Sequence, residues 1–375
     1  MAATPCLSVA VLPGDGIGPE ITPPCLSLLE RAAARAGAPR LRFETLAAGA
    51  ACYRETGEAL PVESRRRAAA ADAILLAAMG LPGVRYPDGT EIAPQLELRS
   101  ALDLYAGVRP LRALPGIPPV LADPRARHLD LVLVRESTEG LFASRGKGTV
   151  LGEREARDTL VVTRRGCQRL FEFAFRLARR RRREGHPGRV TCVDKANVFR
   201  SFAFFRRVFD QCAERFPDVE REHRYVDAMA LELVRRPWAY DVLVTENMFG
   251  DILSDLGAGL IGGMGMAPSA DIGARHAVFQ PAHGSAPDIA GSGRANPTAM
   301  FLSGAQMLEW LGETRALPAC RRAGALLRGA VEAAFAGARL RPCELGGEDG
   351  VAAISAAVGE ALERLDPQRV ALSDA

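Results

Sequence analysis

Asp251 and Asp255 stand four residues apart in the stretch DVLVTENMFGDILSD, residues 241–255. On a helix that spacing brings both carboxylates to one face, about one turn apart. Like charges so close raise each other's pKa and cost stability unless a cation or a basic group lies between them. An oxygen-only pair suits Mg²⁺ or Mn²⁺ better than zinc. A solvated helix face would show the same spacing, so the pair alone is only a candidate metal site. The preceding run Val242-Leu243-Val244 reads as a buried strand, and ligands of α/β sheets bind beyond strand ends. Breaks at Glu246-Asn247 and Gly250 predict that the helix starts after them.

Lysine is nearly absent: only Lys147 and Lys195 occur, and arginine fills every other basic position. Arginine cannot release its proton near neutral pH, whereas lysine can. Lys195 follows a predicted strand at 190–193 and is flanked by Asp194 and Asn197. It reads as a held side chain and a candidate for proton transfer. Lys147, in Arg-Gly-Lys-Gly, reads as a loop residue. Arg99, Arg109 and Arg135 fall near predicted strand ends. There they could clamp a dicarboxylate with bidentate hydrogen bonds, or each could be an ordinary surface residue.

The elements that must position these residues follow the pattern of an α/β protein. Strands are expected at 7–12, 73–78, 129–134, 190–193 and 242–244. Helices are expected up to about residue 36, at 95–104, 164–183 and 223–233 (Asp227 in its middle), and from about 299 onward. The loop Pro13-Gly-Asp-Gly-Ile-Gly-Pro-Glu20 could offer N–H groups to an anion but reads as a plain tight turn. Its G-D-G-I-G spacing is neither a dinucleotide fingerprint nor a Walker loop. Residues 84–94 read as a mobile polar loop and 146–159 as a projecting excursion. The five consecutive arginines 179–183 read as solvated cations at a helix C-terminus. A second loop of small residues, PAHGSAPDIAG (281–291), is closed by Asn296-Pro297.

Bulk properties bound the function. The chain has 375 residues, 48% hydrophobic and 25% charged, which suits two domains of an ordinary globular protein. A net charge of +3 gives no case for a nucleic-acid partner. No apolar run reaches membrane-span length, and the first residues lead straight into a strand, leaving no room for a signal peptide. The eight cysteines include no C-x-x-C pair. They read as small buried hydrophobes in a reducing cytoplasm.

Taken together, PGDGIGPEI (13–21), LRSALDLYAGVRP (98–110), VRESTEG (134–140), VDKANV (193–198), YVDAMAL (225–231), ENMFGDILSDL (246–256), GMGMAPSA (263–270) and HGSAPDIAG (283–291) resemble the β-decarboxylating dehydrogenases. That family includes the isocitrate, homoisocitrate, 3-isopropylmalate and tartrate/D-malate dehydrogenases, and the likeness covers nearly the whole chain. It implies a two-domain α/β, isopropylmalate dehydrogenase-like fold that is not a Rossmann fold. Residues 1–104 plus 262–375 would form the cofactor-side domain. Residues 105–261 would form the second, through which a homodimer is joined, with an arm near 142–166.

The resemblance also implies roles. Arg99, Arg109 and Arg135 would hold substrate carboxylates. Asp251 and Asp255 would bind Mg²⁺ or Mn²⁺, with Asp227 from the partner subunit. Lys195, also from the partner, would be the general base. His283, Gly284, Ser285, Ala286, Asp288 and Asn296 would form the adenosine side of the cofactor site. Asp288 favours NAD, since an acid there hydrogen-bonds a ribose hydroxyl and repels a 2′-phosphate.

Two positions depart from the family. Phe142 stands where the family usually has the tyrosine that protonates the enol, and a phenyl ring cannot donate a proton. Gln95 puts an amide where isopropylmalate enzymes present leucine, which argues against an apolar substrate branch. The expectation is an NAD- and metal-dependent oxidative decarboxylase of a small 2-hydroxy dicarboxylate of the malate, tartrate or substituted-malate type. The alternatives are a 3-isopropylmalate or isocitrate dehydrogenase, or a non-catalytic regulatory paralogue.

Overall fold

A computed structural model describes residues 6–368 of the chain. Its strands are β1 (Cys6–Gly14), β2 (Arg40–Thr45), β3 (Ala73–Ala78), β4 (Ala106–Arg112), β5 (Asp130–Glu136), β6 (Thr149–Leu151), β7 (Glu155–Arg157), β8 (Arg189–Asp194), β9 (Glu220–Tyr225), β10 (Val242–Thr245), β11 (Pro268–Ile272) and β12 (Ala277–Pro281). Ten of them form one sheet in the order β2-β1-β3-β12-β11-β4-β5-β10-β8-β9. Both wings are parallel, but β11 runs antiparallel to β12 and β4, and β4 antiparallel to β5. A doubly wound dinucleotide fold has no such centre.

β3 and β10 are buried at every position, as continuous apolar strands covered on both faces must be. The helices Gly18–Ala36, Thr298–Thr314, Pro318–Ala336 and Val351–Arg364 pack together beside the β1–β12 wing. On the other wing, Phe171 and Phe175 of the helix Arg164–Arg183 meet Phe205, Phe209 and Phe216, with ring centroids 4.6–5.3 Å apart. The excursion after residue 146 is the exposed hairpin β6–β7. No helix of the described residues is long and apolar enough to cross a membrane.

The structure corrects several expectations. Residues 223–225 finish the edge strand β9, and Asp227 lies in the first turn of the helix Val226–Arg235, not in a helix middle. The helix Asn247–Leu260 runs through Gly250 without a break. Its N-cap is Glu246, whose carboxylate accepts from the N–H groups of Met248 and Phe249 at 3.1 and 3.4 Å. Glycine is needed at 250 because a Cβ there would lie 2.6 Å from Arg135 Cγ.

The arginine run is not uniformly solvated. Arg181 is buried, with its Nε 2.5 Å from Asp241 Oδ1 and an Nη 3.0 Å from Asp130. Residues 84–94 form a largely exposed loop, within which the Tyr86 hydroxyl donates to Glu97 at 2.9 Å and the Tyr86 ring packs edge-on to Tyr53 at 5.2 Å. Of the eight free cysteines five are buried, but Cys6 is exposed.

Candidate active site

The ends of β3 and β12, the middle of β4 and the end of β5 border a cleft of about 350 Å³. The helix Pro94–Ala101 brings Gln95 and Arg99 into it, β4 brings Arg109, and β5 brings Arg135. From the opposite side the helix Asn247–Leu260 presents Asp251 and Asp255, one turn apart as its periodicity requires. Phe142, His283 and Gly284 complete the predicted residues that line the cleft.

The three arginines are all buried, Arg135 to 2% exposure. Arg135 is fixed by Asn247, whose Oδ1 accepts from its Nε at 2.9 Å and an Nη at 2.7 Å, while its other Nη contacts Asp251. Burial, then the charge of Arg99, push the Arg135 guanidinium down to about 10, so it stays charged near neutral pH. Burial likewise lowers Arg109.

Two functional residues escaped the sequence reading. One is Asn247, the orienting acceptor. The other is Asp271 on β11, which is 1% exposed, accepts from Arg99 Nε at 2.9 Å and from Gln280 Nε2 at 2.8 Å. Burial works to raise its carboxyl, but the charges of Arg99 and Arg109 and the hydrogen bond from Arg99 outweigh that and hold it below the usual range. An acid inside a buried strand is the signal that could have pointed to it, because such a charge needs a partner.

Three polar atoms on cleft-lining residues are buried without a hydrogen-bond partner: Gln95 Oε1, Arg109 Nη1 and His283 Nε2. Burial lowers the His283 pKa, and Nδ1 sits 2.8 Å from the carbonyl of Gly284. The neutral ring that donates from Nδ1 leaves Nε2 an open acceptor. The Phe142 ring lies under the Arg135 guanidinium, 5.1 Å from ring centre to Cζ.

Other predicted residues stand apart from the cleft. Lys195 and Asp227 pair with each other, Nζ to Oδ1 2.5 Å, and neither lines it. Ser285 donates to the carbonyl of Gly80, and its own carbonyl accepts from Ile17 N–H at 2.8 Å. Ala286 holds a left-handed φ of 38°, and Asp288 is exposed. Asn296 is buried, with its amide donating to Glu344 at 2.6 Å and accepting from Thr298 N–H at 3.1 Å. In the first glycine loop the N–H groups of Asp15, Ile17 and Gly18 all donate to backbone carbonyls, so it is a tight turn. Gly16 permits its contact with the second loop, since a Cβ there would lie 1.9 Å from Ser285 O.

Asp251 and Asp255 fit a hard divalent cation. Both reach solvent and offer only oxygen; partial burial, then the charge of Asp251, raises the Asp255 carboxyl, and a cation would relieve the repulsion between the two. Among the described residues no third His, Cys, Asp or Glu joins them.

Residues 8–361 match the isocitrate/isopropylmalate dehydrogenase family. The chain belongs to that family. The 3-isopropylmalate/3-methylmalate dehydrogenase of Methanocaldococcus jannaschii is 43% identical over 309 residues, 82% of this chain and 87% of that one. The 3-isopropylmalate dehydrogenase of Moorella thermoacetica is 43% identical over 314 residues, 80% of this chain and 85% of that one. The crystal structure of isocitrate dehydrogenase from Methylococcus capsulatus superposes with a TM-score of 0.83 at 37% identity, covering 96% of this chain and all of that one. As a member of the isocitrate/isopropylmalate dehydrogenase family the chain is an enzyme, an oxidoreductase of the β-decarboxylating dehydrogenase class, with the mixed α/β fold expected.

Proposed function

We propose that this enzyme oxidises and decarboxylates a small 2-hydroxy dicarboxylate of the malate, tartrate or substituted-malate type, using NAD and Mg²⁺ or Mn²⁺. The observation that carries this reading is the convergence of three buried arginines and an acidic pair on one cleft of about 350 Å³. Arginine forks hold carboxylates bidentately. Asp251, Asp255 and Asp227 of a second copy would hold the divalent ion, which when bound supplies Lewis acidity to the hydroxyl and its carboxylate. Lys195 of that second copy would take the hydroxyl proton, and NAD, when bound, would supply the hydride acceptor. The arginines keep the carboxylates in place while CO₂ departs, and a proton must then reach the enol from a group other than Phe142.

An exposed apolar face supports the homodimer with shared sites. Val198 and Phe199, beside Lys195, are exposed, as are Leu231 and Val234 of the helix that carries Asp227, and Ile252 next to Asp251. Such a face suits a second copy of the chain. The division at residues 104–105 and 261–262 into two domains belongs to the same reading. So does a reducing cytoplasm, supported by eight free cysteines.

Gln95 speaks for a polar or small substituent on the substrate, because its buried Oε1 has no partner and an apolar branch would leave it so. The two relatives favour a second reading, 3-isopropylmalate. The test is NADH formation with Mn²⁺ on D-malate, tartrate, 3-methylmalate, 3-isopropylmalate and isocitrate. The highest kcat/KM is expected on one of the first three. A clear preference for 3-isopropylmalate or isocitrate would replace this reading.

A further inference from the structure

Three arginines in one cleft carry three positive charges, and burial prevents water from screening them. Other charged groups face them. On the rim Arg145 is exposed, so water screens it, and the Glu91 carboxylate pairs with Arg85 at 3.3 Å. Asp251 and Asp255 match a divalent ion. What remains is Asp271, behind the clamp on the central strand β11 and sealed from solvent by Arg99, Gln280 and Ser137. Its Oδ2 accepts from both Arg99 and Gln280, and its charge acts on Arg109 and Arg135 as well as on Arg99.

We propose that Asp271 is a specificity-determining residue that sets the charge of the bound substrate. Acting as a fixed counter-ion, it reduces the clamp from three net positive charges to two, which matches a dicarboxylate and disfavours a tricarboxylate. The inference rests on the reading of this cleft as a carboxylate site and deepens it. Asp271 also orients Arg99: its carboxylate engages Nε and leaves the two Nη groups for substrate. Electrostatic matching of this kind discriminates between ligands more than it adds to the affinity of the right one.

The test uses unreactive anions, so that it does not depend on which compound is oxidised. Succinate, with two carboxylates, and tricarballylate, with three, are titrated into the full-length protein by calorimetry. Asp271→Asn keeps shape and removes one charge. It is expected to shift the ratio of the two dissociation constants towards tricarballylate by about tenfold, the effect of one partly screened charge. Asp271→Ser, also neutral, is expected to shift the ratio the same way and provides the test if Asp271→Asn does not fold, while Asp271→Glu keeps the charge and is expected to keep the natural ratio. Ratios that stay put in the folded neutral variants, or equal weakening of both anions, would reduce Asp271 to a structural support and overturn the proposal. Should the natural enzyme oxidise no dicarboxylate while the ratios move as stated, the substrate reading fails and the charge assignment stands.

Discussion

Lys195 reaches Asp227 across 2.5 Å, yet neither side chain lines the cleft that holds the arginines and the acidic pair of the same chain. The hydrogen bond from Lys195, then those from the backbone, hold the Asp227 carboxyl below its ordinary pKa, so it stays ionised as a metal ligand must be. If a second copy supplies both residues to the cleft, two inactive variants complement each other. Lys195→Arg and Asp251→Asn should each lose turnover, Lys195→Arg by roughly two to four orders of magnitude with substrate affinity largely kept. Refolded as a mixture, hybrid dimers have one intact cleft each, and about a quarter of natural activity should return. No recovery on mixing would place the whole site within one chain.

Metal binding should depend on Asp251 more than on its exposure suggests. Asp251→Asn replaces a carboxylate by a poorer amide ligand and takes the counter-charge from Arg135. Mn²⁺ affinity, read by calorimetry, should fall sharply and NADH formation should cease. Full activity of natural enzyme freed of metal by EDTA would contradict the assignment.

Cofactor choice is expected to follow Asp288. Its exposed carboxylate would repel a 2′-phosphate, so kcat/KM for NAD should exceed that for NADP by at least about tenfold, on the order of 1.4 kcal/mol. Asp288→Lys should narrow that margin. Equal efficiencies in the natural enzyme would rule out this role.

Phe142→Tyr should gain function. The ring lies under Arg135, and a phenol there would have a cation to stabilise its ionised form. If enol protonation limits the natural enzyme, kcat or the stereospecificity of deuterium uptake from solvent should rise, with hydride transfer unchanged. A variant with the same kcat and the same isotope incorporation would mean that another group already delivers the proton efficiently.

Stability should respond to Arg181 and not to its neighbours. Arg181→Ala leaves the fully buried Asp241 without its guanidinium, a loss of about 3–5 kcal/mol. Arg183→Ala, on the exposed side of the helix, should leave the denaturation midpoint within error. Similar midpoints for the two variants would refute the difference.

Much of this arrangement is legible in the chain itself, and the exceptions have physical causes. Arg99, Arg109 and Arg135 can be read because strand ends in α/β sheets converge on ligands, and Asp251 with Asp255 because helical spacing puts them on one face. The burial of Arg181 was also readable: it continues the row Leu170, Ala174, Leu177 down the helix at intervals of three and four. A run of like charges hid that row. β9, EREHRY, has no apolar alternation, and only its pairing with β8 makes it a strand. Asp271 and Arg99 are 172 residues apart, and nothing local to either announces the other.

β11 and β12, from the last third of the chain, enter the sheet between β3 and β4, which both come from its first third. During synthesis the edges of β3 and β4 therefore stay open until Pro281 has left the ribosome. Until β11 is made Arg99 has no Asp271, and of the three arginines only Arg135 has its partners, Asn247 and Asp251, already in the chain. Chains truncated before β12 should accordingly collect in aggregates, and the enzyme should depend on chaperones for as long as its middle strands are missing.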